Sequence, residues 1–396
     1  SDGYLWFQTT GSYTGLNASI TNISVIEITD DTNLPRIDYS PYSGAGSCGH
    51  WLFEPQSTNL ITYSEDFSQW LTAGSSSVST NTLISPDGEL SADTCNAAIA
   101  SNSGFYSTYS TTIGLSYTTS IFIKKGTRNW VALFKSNGSA VGAWFDLENE
   151  TIGTIASGES ANIENYGNGW YRCSLTGNAT NTTSYFQFLV ADSNDSVSNS
   201  IAGTIYIFGA QSEQNSYATS YIPTSGAIST RLQDAAFGAG SSDLINSTEG
   251  VLYAEIASLA DDGDYRLITL SDGTTNNRTL IGFRLNTGYI YYYVIAGGVT
   301  QSNFDTTITS ANSFSKIALK YKANDFALWV NGVEIYTDSS GSVSSGLDTL
   351  QFADGNGTSR SFYGKTKCLA VFKEALTDDE LECLTSDETS FSSFNA

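Results

Sequence analysis

Three tyrosines, Tyr289, Tyr291 and Tyr293, alternate with Ile290, Tyr292 and Val294 in the run YIYYYV. Side chains two apart on a β-strand share a face. The Ile/Val parity is the one that belongs in a core, so the three tyrosines are expected to form an exposed stripe. Sugars stack on such rings, and nearby hydroxyls supply hydrogen bonds. The same stripe suits a subunit interface, where tyrosine is enriched. Trp329 in FALWVNG is out of phase with Phe326, Leu328 and Val330 and joins the tyrosines as a candidate ligand-binding residue. Trp130, Trp144 and Trp170 lie within alternating runs and are expected in the core.

Catalytic chemistry has little to work with. His50 is the only histidine, two residues after Cys48. A base that close to its nucleophile on an extended chain reaches it only with strain, and a loop residue is the plainer reading. Glycoside hydrolysis needs two carboxylates roughly 5–10 Å apart in a cleft. A concanavalin-type glycanase would carry them as E-x-D-x-x-E on a strand, and that pattern does not occur. Glu148 and Glu150 fall in a hairpin turn. The acids of DDELE (378–382) open a helix, where they favour its dipole. No phosphate-binding glycine loop or dinucleotide fingerprint is present. No catalytic residue is assigned, and the chain is expected not to be an enzyme.

Oxygen-rich loops suit calcium. Asp261, Asp262 and Asp264 stand in DDGD, and Asp354 and Asn356 in DGNG. Asp, Asn and Gly also favour tight turns. No metal ligand is assigned and no cofactor is expected, with calcium left open at these two loops.

The charge balance excludes other partners. Forty acidic residues against 17 basic ones give a net charge of −23 over 396 residues. Nucleic-acid binding needs clustered Lys and Arg, and no apolar run is long enough for a membrane-spanning helix. The chain starts at Ser1 and has no Met, which is expected of a processed product, a fragment or a sequence read from a purified particle. Five cysteines, at 48, 95, 173, 368 and 383, make no complete disulfide framework. A Cys368–Cys383 bridge and five free thiols are both open.

Period-two runs dominate the elements that must hold these residues. IFIKKGTRNWVALF (121–134) reads as two strands joined by a Lys-Gly turn, and AWFDLENETIGTI (143–155) as a hairpin. GWYRCSL, SYFQFLV and TIYIFGA follow as strands. A Pro/Gly/Ser-rich break at 223–244 precedes VLYAEIASL, YRLITL, TLIGFRL and YIYYYVIAG. SKIALKYKANDFALWVNGVEIY (315–336) holds three more strands, with Asn331-Gly332 as a type I′ hairpin signal. Thr377 and Glu380 form a capping box for one short C-terminal helix. The fold class is therefore all-β, with tandem antiparallel sandwiches of the jelly-roll kind. Residues 1–56 form a β-rich lead-in, expected to order against the first sandwich or a neighbouring chain. A jelly roll spans 57–228, a linker 229–244, a second sandwich 245–386 and a tail 387–396.

Motifs along nearly the whole chain carry a resemblance. LPRIDYS (34–40), LFEPQSTNLITYSEDFSQW (52–70), SPDGELSADT (85–94), FIKKGTRNW (122–130), WFDLENETIGT (144–154) and YGNGWYRCSLT (166–176) come first. IFGAQSEQNSYATSYIPTSG (207–226), SDLINSTEGVLYAEI (242–256), FALWVNGVEIYTD (326–338) and FYGKTKCLAVFKEALTDDELECLTS (362–386) complete the order. In that order they resemble bacteriophage virion structural or tail-fibre proteins. The first block looks like a carbohydrate-binding module of the jelly-roll kind, and the second like a laminin-G or concanavalin A-like lectin domain. Such modules often place an acid near the last strand for calcium, and here Phe208 and Gly209 stand there. The second block has Lys367 or Cys368 where relatives have an acid.

The resemblance implies a virion-surface, extracellular protein that recognises host cell-surface glycans. Its other partners would be virion subunits, and a homo-oligomer, commonly a trimer, is implied. A pure capsid decoration or scaffold protein and a polysaccharide-degrading enzyme are the rival readings.

Overall fold

Strands form where the alternating runs place them, because each run buries one parity of side chain. The computed structural model describes residues 35–38, 49–135, 142–260, 264–284, 288–308 and 310–386. Among these residues two antiparallel β-sandwiches account for nearly all regular structure.

One sheet of the first sandwich runs in the order Thr151–Ile155, Gly142–Asp146, Trp130–Phe134, Thr183–Ala191, Gly104–Ser110, Leu71–Ala73. The other runs Ser160–Asn165, Trp170–Asn178, Ser116–Lys125, Gly203–Glu213, Leu90–Ala97, Ser76–Ile84. Ile121, Ile123, Cys173, Leu175, Ile205 and Ile207 meet Val131, Leu133, Phe145, Phe186, Phe188 and Val190 in the core. The run 121–134 departs from the hairpin expected of it. Its two strands lie in opposite sheets, so the Lys125-Gly126 turn crosses the sandwich. Alternation is the same in a hairpin and in a crossover. A side chain at Gly126 would stand 2.5 Å from the Thr204 carbonyl oxygen, so this crossing needs glycine.

In the second sandwich a seven-stranded sheet runs Arg36–Asp38, His50–Phe53, Gly364–Phe372, Glu249–Ser258, Ser315–Lys322, Phe326–Val330, Val333–Asp338. The five-stranded sheet facing it runs Val299–Thr307, Tyr289–Ala296, Arg278–Phe283, Arg266–Ser271, Thr349–Gln351. Leu252, Ile256, Ile317, Leu319 and Leu328 pack against Ile268, Ile281, Phe283, Ile290, Tyr292 and Val294. The helix Asp378–Thr385 opens with the expected capping box: Thr377 accepts from the Glu380 amide, and the Glu380 carboxylate accepts from the Thr377 amide. Its Leu381 covers the outer face of the seven-stranded sheet with Val251, Tyr253, Ala327 and Trp329.

The lead-in corrects an expectation. Its described part joins the second sandwich, with Trp51, Leu52 and Phe53 in register with Thr366, Lys365 and Gly364. His50 is no loop residue: it is buried in this strand, edge-on to Phe314 and 3.3 Å from a carboxylate oxygen of Asp38. Cys48, the run ISVIEIT and the tail 387–396 lie outside the described residues. Cys368 and Cys383 are both unpaired and exposed, so no bridge joins them.

The connecting segment is pinned as well. Ser229–Arg231 pairs with Ser57–Asn59, and buried Glu54 accepts hydrogen bonds from Arg36, Arg231 and the Ser220 amide. Arg36 also bonds Asp234 at 2.6 Å, which accepts from the Glu54 amide. Burial alone would raise the Glu54 pKa, but Arg231 and Arg36 outweigh it and hold the carboxyl below its usual range.

Two outcomes are expected. A carboxylate with a depressed folded-state pKa stabilises the fold above its unfolded pKa and loses that contribution as pH falls through the folded one. The melting temperature should therefore drop below about pH 4.5, and Glu54→Gln, less stable at neutral pH, should drop less over the same window. Asn331 and Gly332 have φ of 51° and 80°, as a type I′ turn requires. Gly332→Val should cost about 1–3 kcal/mol in chemical denaturation.

Candidate functional site

The outer face of the five-stranded sheet carries a pocket. Register fixes its floor: Gly282 stands opposite Tyr291 and Leu280 opposite Tyr293, while Asp305 and Asn303 follow on the next strand. Alternation puts Arg278, Leu280 and Arg284 on this face, because Ile281 and Phe283 take the core face. Tyr265, Arg278, Leu280, Arg284, Tyr291, Tyr293, Asn303 and Arg360 line a pocket of 280 Å³. A second pocket of 470 Å³ adjoins it through Tyr265 and Arg360.

The rim is built by a loop. The Thr269 hydroxyl donates to the Ala353 carbonyl at 2.7 Å, and the Ser271 hydroxyl to the Gly355 carbonyl at 2.8 Å. The Leu267 amide donates to the Arg360 carbonyl at 3.2 Å. A side chain at Gly355 would lie 2.2 Å from the Thr274 carbonyl oxygen, so glycine permits this close approach. The Arg360 guanidinium then sits 4.5 Å over the Tyr265 ring, and that of Arg284 5.7 Å over Tyr291. Both distances are within the range of cation–π attraction. Tyr265 meets Tyr291 edge-on at 5.8 Å, and Tyr291 meets Tyr293 at 6.3 Å.

Tyr289, Tyr291 and Tyr293 share the outward parity, but they are not a uniformly exposed stripe. Tyr291 is 4% exposed, because Tyr265, Tyr293 and Arg284 close over it. Burial pushes its phenol pKa up. It is the pocket's floor, and half-buried Tyr265 and Tyr293 are its walls. Half-buried Tyr289 shares their face without lining the pocket. Tyr292 points into the core with no exposure. Its hydroxyl donates to Ser302, which donates to Asp338. Burial pushes the Tyr292 phenol up to about 12.

Trp329 is not part of this platform. It is 6% exposed, on the other sheet, under Leu381 of the helix. Its parity is outward as expected, but a helix occupies that face. Trp144 and Trp170 are buried, and Trp130 is half-buried against its sheet. The residues that sequence reasoning missed are Tyr265 and the arginines. The parity of Arg278 and Arg284 with Leu280 was legible in NNRTLIGFRL. Arg360, 69 positions after Tyr291, left no local signal.

A larger cleft of 720 Å³ includes Asp38, Glu54, Tyr166, Arg172 and Phe314. Its Glu54 is bound by Arg36 and Arg231, and its Arg172 donates to Ser120 and stacks on Phe122. Glu54 is thereby neutralised within the protein, while the buried Nε of Arg172 has no hydrogen-bond partner. The DGNG loop is a turn: Asn356 accepts from the Thr358 amide and hydroxyl, and Asp354 accepts from the Ser359 hydroxyl. Among the described residues no group of three or more His, Cys, Asp or Glu could hold a metal ion. Asp261 and Asp262 lie outside them.

Comparison with known proteins places the sandwich that carries the pocket. Residues 252–382 match the family described as the Concanavalin A-like lectin/glucanases superfamily. No curated protein matches the chain. Among solved structures, the chain is similar to the CBM40 domain of Ruminococcus gnavus IT-sialidase, at 16% identity and a TM-score of 0.32, over 38% of this chain and 94% of that one. It is similar to sheep galectin-11 in complex with glycerol at 9% identity and a TM-score of 0.25, over 36% and 99%. Domains LG4-5 of the mouse laminin alpha1 chain give 11% identity and a TM-score of 0.24, over 71% and 89%. The family match, rather than these partial overlaps, carries the likeness: the second sandwich is similar to the concanavalin A-like lectins and glucanases.

The burial pattern orders three substitutions. Tyr292→Ala should cost about 3–5 kcal/mol and Tyr291→Ala about 2–4 kcal/mol, since both rings are enclosed. Tyr293→Ala should cost less than about 1 kcal/mol. Chemical denaturation of the three variants checks the order, and a silent Tyr291→Ala would mean that its ring is open to water.

Proposed function

We propose that this chain is a non-enzymatic carbohydrate-recognition protein of a bacteriophage particle, displayed on the virion surface. It would attach the particle to glycans on the host cell. One observation carries the recognition: an aromatic-walled pocket on the outer face of a lectin-like sandwich. Tyrosine rings offer the flat apolar surface that a sugar's C–H face prefers, and Asn303 beside them offers hydrogen bonds. The phage assignment rests on the ordered resemblance along the chain. Single-site contacts of this kind are weak, and many copies on one particle would convert them into firm attachment. Other virion subunits would hold the chain in place, as a homo-oligomer of closed symmetry, a trimer if it forms a fibre.

The two acids nearest the inner pocket support a binding role there over a hydrolytic one. Asp305 is drawn to Arg284 at 3.2 Å, and Asp354 is bonded by Ser359. Neither is poised as a free general acid or nucleophile. The net charge of −23 disfavours nucleic acid as a partner. Among the described residues no helix is long and apolar enough to cross a membrane.

The test uses particles carrying Tyr265→Ala or Tyr293→Ala. Attachment to host cells should fall while the purified chain loses less than about 1 kcal/mol of stability. Undiminished attachment would sink the pocket as the recognition site. The release of new reducing ends from host polysaccharide would replace binding with depolymerisation.

A further inference from the structure

The pocket is cationic in a chain that is acidic. Four of the eight arginines in the sequence collect here: Arg278, Arg284 and Arg360 line the inner pocket, and Arg266 lines the adjoining one with Arg360. Asp264 lines the adjoining pocket beside Arg266 and Arg360, and two further carboxylates lie near the inner one without lining it. Asp305 is taken by Arg284 at 3.2 Å. Asp354 is buried beneath the loop, bonded to Ser359, and attracts Arg278 only from beyond ion-pair distance. Among the described residues, neither Arg278 nor Arg360 makes an ion pair. The Nε atoms of Arg278 and Arg284 are buried without a hydrogen-bond partner.

Such an arrangement is costly on its own. A guanidinium keeps its proton in any protein environment, so burial cannot neutralise it. A half-buried cation lacking a close counter-charge destabilises the fold that holds it. Arg360 adds a backbone cost, since its φ of +55° is one that long side chains rarely adopt. Strain of this sort persists where surrounding contacts enforce it, and here the hydroxyls of Thr269 and Ser271 anchor the loop. Sites built for a ligand carry this signature.

We propose that the pocket takes the acidic group, carboxylate or sulfate, of an anionic saccharide. The guanidinium groups of Arg278 and Arg360 would receive two of its oxygens, for which planar forks are suited. Tyr265 and Tyr293 would hold the attached ring over Tyr291. The protein's overall charge repels long polyanions, so the ligand is a short or sparsely charged glycan. This inference rests on the glycan-binding reading and names its ligand class.

The experiment titrates the full-length chain by calorimetry with trigalacturonate, its fully methyl-esterified form and a sulfated galactose trisaccharide. Tight binding of the carboxylate probe, of the sulfate probe or of both supports the proposal, and the difference between them identifies the anion. The ester should bind at least about tenfold more weakly than the matching acid, the effect of losing a charged hydrogen-bond pair. Arg360→Gln, at an exposed side chain, should abolish that difference without altering the melting temperature. Arg278→Gln should do the same, and Arg360→Gln keeps the test decisive if Arg278→Gln fails to fold. Equal binding of acid and ester, indifferent to Arg360→Gln but lost in Tyr293→Ala, would overturn the acidic ligand and leave the glycan reading standing. Binding to none of these probes or to isolated host polysaccharide would overturn both.

Discussion

Glu54 is the interaction on which the chain's path depends. The chain joins the second sandwich with Arg36–Asp38 and His50–Phe53, leaves to build the first, and returns at Glu249–Ser258. Glu54 sits where it leaves. It binds Arg36 from the first of those strands, the Ser220 amide from the end of the first sandwich and Arg231 from the connecting segment. Four stretches distant in sequence thus meet at one carboxylate that is 4% exposed. Without its two arginines, burial would push the pKa of this carboxyl up. With them it stays charged, and losing any partner leaves an unpaired buried charge. The crossing between sandwiches is thereby fixed by electrostatics, where a flexible linker of the same composition would leave it loose.

What was legible in the sequence was local. The two-residue period showed the strands, the Asn331-Gly332 pair showed its turn, and Thr377 with Glu380 showed the helix start. Each of these is decided by residues within a few positions of one another. Sheet membership is decided elsewhere. Ser116–Lys125 and Trp130–Phe134 alternate like a hairpin yet pair with different neighbours. His50–Phe53 finds its partner more than 300 positions downstream, in Gly364–Phe372. No local pattern encodes a pairing at that distance.

The candidate site shows the same division. Parity assigned Tyr292 to the core and Tyr291 and Trp329 to outer faces, and the structure agrees on all three directions. Parity does not state what lies over an outer face. A helix covers Trp329, and Tyr265, Tyr293 and Arg284 enclose Tyr291, so neither is the open platform that its direction suggests. Arg278 and Arg284 were readable as outward residues of the neighbouring strand. Arg360 was not, because its position depends on a loop anchored by Thr269 and Ser271.

The two outer faces of the second sandwich are covered in different ways. The seven-stranded sheet is covered by an apolar helix face, with Leu381 fully buried against it. That cover closes the end of the sheet around Trp329, while the other end of the sheet borders the larger cleft. The five-stranded sheet has a loop over it, and the loop is held by backbone carbonyls accepting from the sheet's own hydroxyls. A loop held in this way covers the edge of the face and leaves the centre open. It also fixes Arg360 before any ligand arrives. The backbone freedom that a free loop would lose on binding is in part already lost on folding here. The selectivity proposed for this pocket would therefore follow from the same hydrogen bonds that shape its rim.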